Sequence, residues 1–111
     1  MNTTENNILL AEFLGYSKTH PDYPNSTYWY KKGEQPLSIL LFNSDWNWLM
    51  KVVDKIESLG YDVNIKGISC NITPILSSEI IVGLVLGDKS RKIELVYLSC
   101  IEFVKWYNNK Q

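Results

Sequence analysis

The fold class that this chain of 111 residues predicts is α+β, with helices layered on a mostly antiparallel sheet of three to five strands. Three observations carry that expectation. A stretch near the middle has the apolar spacing of a helix with both of its ends marked. Three short runs after it alternate apolar and polar residues across tight links. The final stretch is again helical in its periodicity, with apolar residues over a broad arc.

The first element starts at Asn2-Thr3-Thr4-Glu5, where Asn2 and Glu5 have the spacing of a capping box. Ile8, Leu9, Leu10, Ala11, Phe13 and Leu14 then make a short apolar helix that Gly15 ends. A helix of this length is marginal alone and needs tertiary packing. From 16 to 36 the character changes, because His20-Pro21 and Tyr23-Pro24 push the backbone to extended geometry. Thr27-Tyr28-Trp29-Tyr30 has strand propensity and sets Tyr28 and Tyr30 on one side with Trp29 on the other. Residues 37–42 read as a second strand or as an extended lead-in to the middle helix.

That helix follows Phe42-Asn43-Ser44-Asp45. Ser44 is placed to accept a hydrogen bond from a free amide of the first turn, and Asp45 brings negative charge to the positive end of the helix dipole. Leu49, Val52, Val53, Ile56 and Leu59 share one face, while Lys51, Asp54, Lys55 and Ser58 fall mostly opposite. Gly60 supplies the left-handed residue that leaves the helix. In the runs that follow, Tyr61, Val63 and Ile65 point one way, then Ile68, Cys70 and Ile72 continue the alternation, and 80–86 forms a third run broken by Gly83. The short links favour a meander. Over 90–107, Ile93, Val96, Tyr97, Cys100, Ile101, Phe103, Val104 and Tyr107 share one arc, and Leu95, Leu98 and Trp106 fall outside it beside Ser99 and Glu102.

Composition bounds the function classes. The length suits a single domain spanning residues 1–111, and 45% hydrophobic residues are enough for a real core. Eleven basic against twelve acidic residues give a net charge of -1, which offers no general attraction to nucleic acid or anionic membrane. Polar Asn2 to Asn7 after Met1 lack the form of a secretory signal, and no apolar run reaches the ~20 residues of a membrane span. The expected location is the cytoplasm. Cys70 and Cys100 are expected as buried free thiols.

Catalytic chemistry finds little to stand on. His20 is the only histidine, and no nucleophile motif, phosphate loop or dinucleotide fingerprint accompanies it. Two cysteines and one histidine do not make a zinc site of normal spacing. Asp45 reads as a helix-start charge, and Asp54 and Glu57 as solvated side chains. The expectation is therefore a protein without catalytic residues, metal or cofactor.

The run from Phe42 to Tyr61, with Asn43-Ser44-Asp45-Trp46-Asn47-Trp48-Leu49-Met50 at its head, resembles a pattern in a family of small phage and prophage proteins, F-H-S-S-W-D-W-L-M-P-V-V-E-K-I-E-x-L-G-Y. Lys92-Ile93-Glu94-Leu95-Val96-Tyr97 and Glu102-Phe103-Val104-Lys105-Trp106-Tyr107-Asn108 are similar to that family's ending, K-I-E-A-V-Y and E-F-I-K-W-Y-N. Asn43 stands where the pattern often has histidine, Lys51 where it has proline and Leu95 where it has alanine. The resemblance implies a phage or prophage origin, in a bacterial host cytoplasm, and an α-β-α sandwich-like domain. It transfers no activity.

Two binding surfaces are expected. Leu95, Leu98 and Trp106, with Glu102 among them, make more apolar surface than a helix on a sheet needs, and so suggest contact with a second copy or with a host or phage protein. Tyr28, Tyr30, Asn43, Ser44, Asp45, Trp46 and Trp48 combine aromatic rings with a helix start, and so suggest a platform for a small nucleotide. Single-stranded nucleic acid through the tyrosine-rich segment is the weaker option on charge. A non-enzymatic phage accessory protein acting through protein-protein contacts is the favoured reading.

Overall fold

The computed structural model describes residues 3–18, 27–87 and 91–110. Its elements follow the order α1 (Thr3–Phe13), α2 (Trp46–Ser58), β1 (Tyr61–Lys66), β2 (Ser69–Pro74), β3 (Val82–Val85) and α3 (Lys92–Asn109). The α+β class and the antiparallel meander are what the sequence predicts. Tyr61 faces Pro74, Val63 faces Ile72 and Ile65 faces Cys70 across the first pair, and Cys70 and Ile72 face Leu84 and Val82 across the second. Gly67, at φ +55, turns the first hairpin, where a side chain would be strained.

α2 forms as its spacing requires. Leu49, Val52, Val53 and Ile56 are buried, whereas Lys51, Asp54, Lys55 and Ser58 are exposed. Gly60 leaves the helix at φ +98. The start differs from expectation in its atoms. Asp45, not Ser44, is the cap, and its carboxylate accepts from the Asn47 amide at 2.8 Å and the Trp48 amide at 3.4 Å. Ser44 lies one residue too early, in a turn whose amide bonds the Leu41 carbonyl.

The stretch 27–42 contributes no strand. Ser17 pairs with Tyr30 and Trp29 with Leu37 as single bridges. Strand propensity is satisfied at two points only, because the turn at Lys32-Gly33 and then Pro36 interrupt any ladder. The sheet accordingly has three strands among the described residues. The capping box at Asn2, and His20 and Tyr23, lie outside those residues.

α3 organises the packing. It touches α1, α2, β2 and β3, and Leu95, Val96, Tyr97, Ser99, Cys100, Ile101, Phe103 and Val104 are all buried. A helix covered from several sides hides well over half its circumference. Leu95 is consequently buried (1% exposed) and not an outward group. Helical cover lies on one side of the sheet. Cys70, Ile72 and Val82 are buried, but Asp62, Asn64, Lys66, Gly83 and Val85 on the other side are exposed. The layering is thus an open sheet with helices packed on one face.

The two thiols are free and buried, as expected. Burial pushes the Cys70 thiol up, with a hydrogen bond to Ser99 opposing. Burial and then the neighbouring Cys70 push the Cys100 thiol up further. Neither is prepared as a nucleophile.

Candidate functional site

The expected oligomer surface on α3 disperses once the packing is in place. Leu95 is inside. Leu98 is half-buried against the core, and Glu102 is exposed with Lys105 at 3.8 Å. Trp106 is half-buried in an aromatic group, 5.9 Å from the Tyr61 ring and 5.7 Å from that of Phe103. Lys110 closes that group, with Nζ 4.9 Å from the Trp106 ring centre and donating to the Tyr61 hydroxyl at 3.2 Å. The two-sided burial of α3 is what the wheel of an isolated helix could not anticipate.

The expected aromatic platform is likewise divided. Trp48 packs edge-on against Phe42 with ring centres 5.3 Å apart, and Trp46 stands out at the first turn of α2. Tyr28 is exposed and Tyr30 half-buried on either side of the buried Trp29. Asp45 is committed to its cap, and Ser44 is exposed in the preceding turn. Asn43 has a structural partner, its Oδ1 accepting from Asn7 Nδ2 at 3.0 Å.

Asn7 leads to a feature that periodicity did not single out. Its side chain is buried at the meeting point of α1, the 38–43 segment and α3, and each of its polar atoms is used. Nδ2 also donates to the Leu40 carbonyl at 3.1 Å, and Oδ1 accepts from the Tyr97 hydroxyl at 2.9 Å. Beside this knot lies a cavity of about 350 Å³ lined by Thr3, Asn6, Asn43, Glu94, Tyr97 and Leu98. Of the seven residues expected at a ligand platform, Asn43 reaches it.

Asn6 differs from its neighbour. It is 7% exposed, and its Oδ1 is buried without a hydrogen-bond donor. The Tyr97 phenol is pushed up to about 12 by burial, with the adjacent Asn6 side chain pulling the other way. Glu94 is held below the usual carboxylate range by the Arg91 guanidinium, which grips both of its oxygens at 2.7 Å. The Glu94 charge beside the cavity is thus already paired with Arg91, and Asn6 Oδ1 is an enclosed acceptor. The clue in the sequence was the pair Asn6-Asn7 directly ahead of the apolar run Ile8 to Ala11.

A second feature stands on the β2–β3 connection. Leu76 is 99% exposed, between Ile75 and Ile80, which are each more than half exposed. The loop is nevertheless built: the Ile75 amide donates to the Gly60 carbonyl at 3.0 Å, Ser77 to Pro74 at 3.2 Å, and Glu79 to Ser77 Oγ at 3.1 Å. The adjacent apolar pair Ile75-Leu76 after Pro74 was the available signal, in a link read only as a connection.

No helix among the described residues is long and apolar enough to cross a membrane. No family model matches the chain, and neither a curated protein nor a solved structure matches it significantly.

Proposed function

We propose that the chain is a non-enzymatic accessory protein of phage or prophage origin that works in the host cytoplasm through protein-protein contacts. The origin rests on the sequence resemblance over Phe42 to Tyr61 and over the last helix. The observation that carries the mode of action is the exposed apolar group Ile75, Leu76 and Ile80 on a hydrogen-bonded loop. Single exposed leucines are ordinary, but three large apolar groups within six residues, held away from the core by backbone bonds, form the kind of surface that a partner covers. The surface proposed here is the one on the sheet connection.

The test compares the native chain with Leu76→Asp. Light scattering reads self-association, and cross-linking in host extract reads other partners. The substitution touches no core group, so its fold is retained and its stability shifts by no more than about 0.5 kcal/mol. Association that vanishes in Leu76→Asp supports the proposal. A monomer without partners, or association indifferent to the change, sinks it.

A second reading, capture of a small nucleotide, has its own support. A cleft of about 370 Å³ is lined by Lys31, Lys51 and Lys55 together with Leu14, Tyr16, Glu34 and Asp54. Three ammonium groups against two carboxylates favour a phosphate. A thermal-shift screen of mono- and cyclic nucleotides against the native chain and Lys51→Glu is decisive, since a ligand at 100 times its Kd adds about 2.7 kcal/mol. No shift with any nucleotide removes this reading.

A further inference from the structure

The sheet has two outer strands, β1 and β3, and they meet solvent differently. β1 carries Asp62 and Lys66, charges of the kind that keep an edge from pairing with another chain. From Ile80 to Gly87 the other edge has no charged residue and no proline. The register fixes which of its backbone groups are already used. The Leu86 amide donates to the Ile68 carbonyl at 2.9 Å, so the bonded pairs continue at Leu84 with Cys70 and at Val82 with Ile72. Gly83 and Val85 alternate with these, and their amides and carbonyls therefore point away from β2. Among the described residues no further strand takes them. The side chains beside them are apolar and open, Val85 being 68% exposed and Ile80 59%. Ile80 Cγ2 lies 3.2 Å from where a Cβ on Gly83 would stand, so the surface at Gly83 is that of Ile80.

We propose that β3 pairs antiparallel with β3 of a second copy of this chain, joining two three-stranded sheets into one. The proposal rests on the reading that the chain works through protein-protein contacts, and it supplies the partner. In the register that uses every outward group, Gly83 faces the partner's Val85, Val85 faces the partner's Gly83, and the two Leu84 residues meet at the centre. Each Val85 then covers Ile80 of the other copy, where glycine leaves room for it. The strip is its own complement under a two-fold axis, which closes the assembly at two chains. Pairing β3 with β1 of another copy would instead bring Asp62 and Lys66 against the apolar strip and leave an open edge at each end. Strands this short bury less than the roughly 1,200 Å² at which stable interfaces begin, so the pairing is weak and reversible.

The experiment follows backbone amide hydrogen exchange across β3 in the full chain, with light scattering, at protein concentrations up to about 1 mM, the reach of a weak complex. The expected result is that Val82 and Leu84 amides are protected at every concentration, whereas Gly83 and Val85 amides gain protection as concentration rises. Their exchange slows about tenfold where nine-tenths of the chains are paired, since only the remaining monomer exchanges. Val85→Lys places an edge charge at an exposed position and is expected to give a monomer without that gain at Gly83. Protection of Val82 and Leu84 in the variant shows that β3 is still folded. Exchange at Gly83 and Val85 that ignores concentration, or association unchanged in Val85→Lys, overturns the proposal. Association lost in Leu76→Asp but kept in Val85→Lys overturns the edge pairing and leaves the loop reading standing. A chain that stays monomeric yet cross-links to other proteins through Leu76 does the same.

Discussion

The two ends of α3 solve the same packing problem by opposite means. At the C-terminal end the helix is closed by rings. Phe103 lies 4.9 Å from Tyr61, 6.4 Å from Phe13 and stacks on Tyr107 at 5.8 Å, and Lys110 covers the outer edge. At the N-terminal end Tyr97 meets two asparagines and a cavity. Aromatic contacts can be made in several geometries, each worth about 0.5–1.5 kcal/mol beyond burial. Polar closure is all or nothing: Asn7 satisfies every group it has, and Asn6, one residue earlier, leaves an oxygen over. What differs is directionality. A ring fills space from any angle, but an amide in a crowded junction pairs only where the backbone happens to aim it.

That contrast can be broken or sharpened by substitution. Phe103→Ala is expected to cost the most, about 3–5 kcal/mol, because the surrounding rings cannot collapse into the gap. Urea denaturation measures it, and a loss under 1 kcal/mol would show the aromatic end to be loosely packed. Asn7→Ala is expected to cost about 2–3 kcal/mol by stranding the Leu40 carbonyl and the Tyr97 hydroxyl, read by the same method.

The pH dependence follows from Tyr97. Its folded pKa of about 12 lies above the ordinary 10.0, so the fold favours the protonated phenol. That contribution is complete below pH 10 and lost as pH rises from 10 to 12. Denaturation midpoints over that window should fall less steeply in Tyr97→Phe than in the native chain, whose buried thiols contribute equally to both. An unchanged slope would mean that the hydroxyl is open to solvent.

The smallest effect sharpens the comparison most. Asn6→Leu removes the unmatched oxygen and keeps the volume, so stability is expected to stay level or rise by up to about 1 kcal/mol. A loss near that of Asn7→Ala would mean that Asn6 is paired like its neighbour and that the two asparagines are alike.

How much of this was legible in the chain varies by element. α2 and the meander were readable because both depend on near neighbours: Leu49, Val52, Val53 and Ile56 recur at helical spacing, and Val63 and Ile65 alternate. The cap was misplaced by one residue because Ser44 and Asp45 are equally good by type, and only the backbone turn at Leu41 decides between them. Strand propensity over 27–30 was real but found one partner at a time. Leu95 was misjudged because a single wheel assumes a single packing face.

Local spacing, then, determined the class, the helices, the hairpin order and the buried thiols, since those follow from contacts a few residues apart. Tertiary structure alone decided that α3 is wrapped from several sides, that Leu76 stands in the open and that Asn6, Glu94 and Tyr97 share a cavity. Such neighbours lie some ninety residues apart along the chain, as the bond from Tyr97 to Asn7 shows at a separation of 90. No period in a sequence encodes which distant side chains meet, because that is set by how whole elements pack.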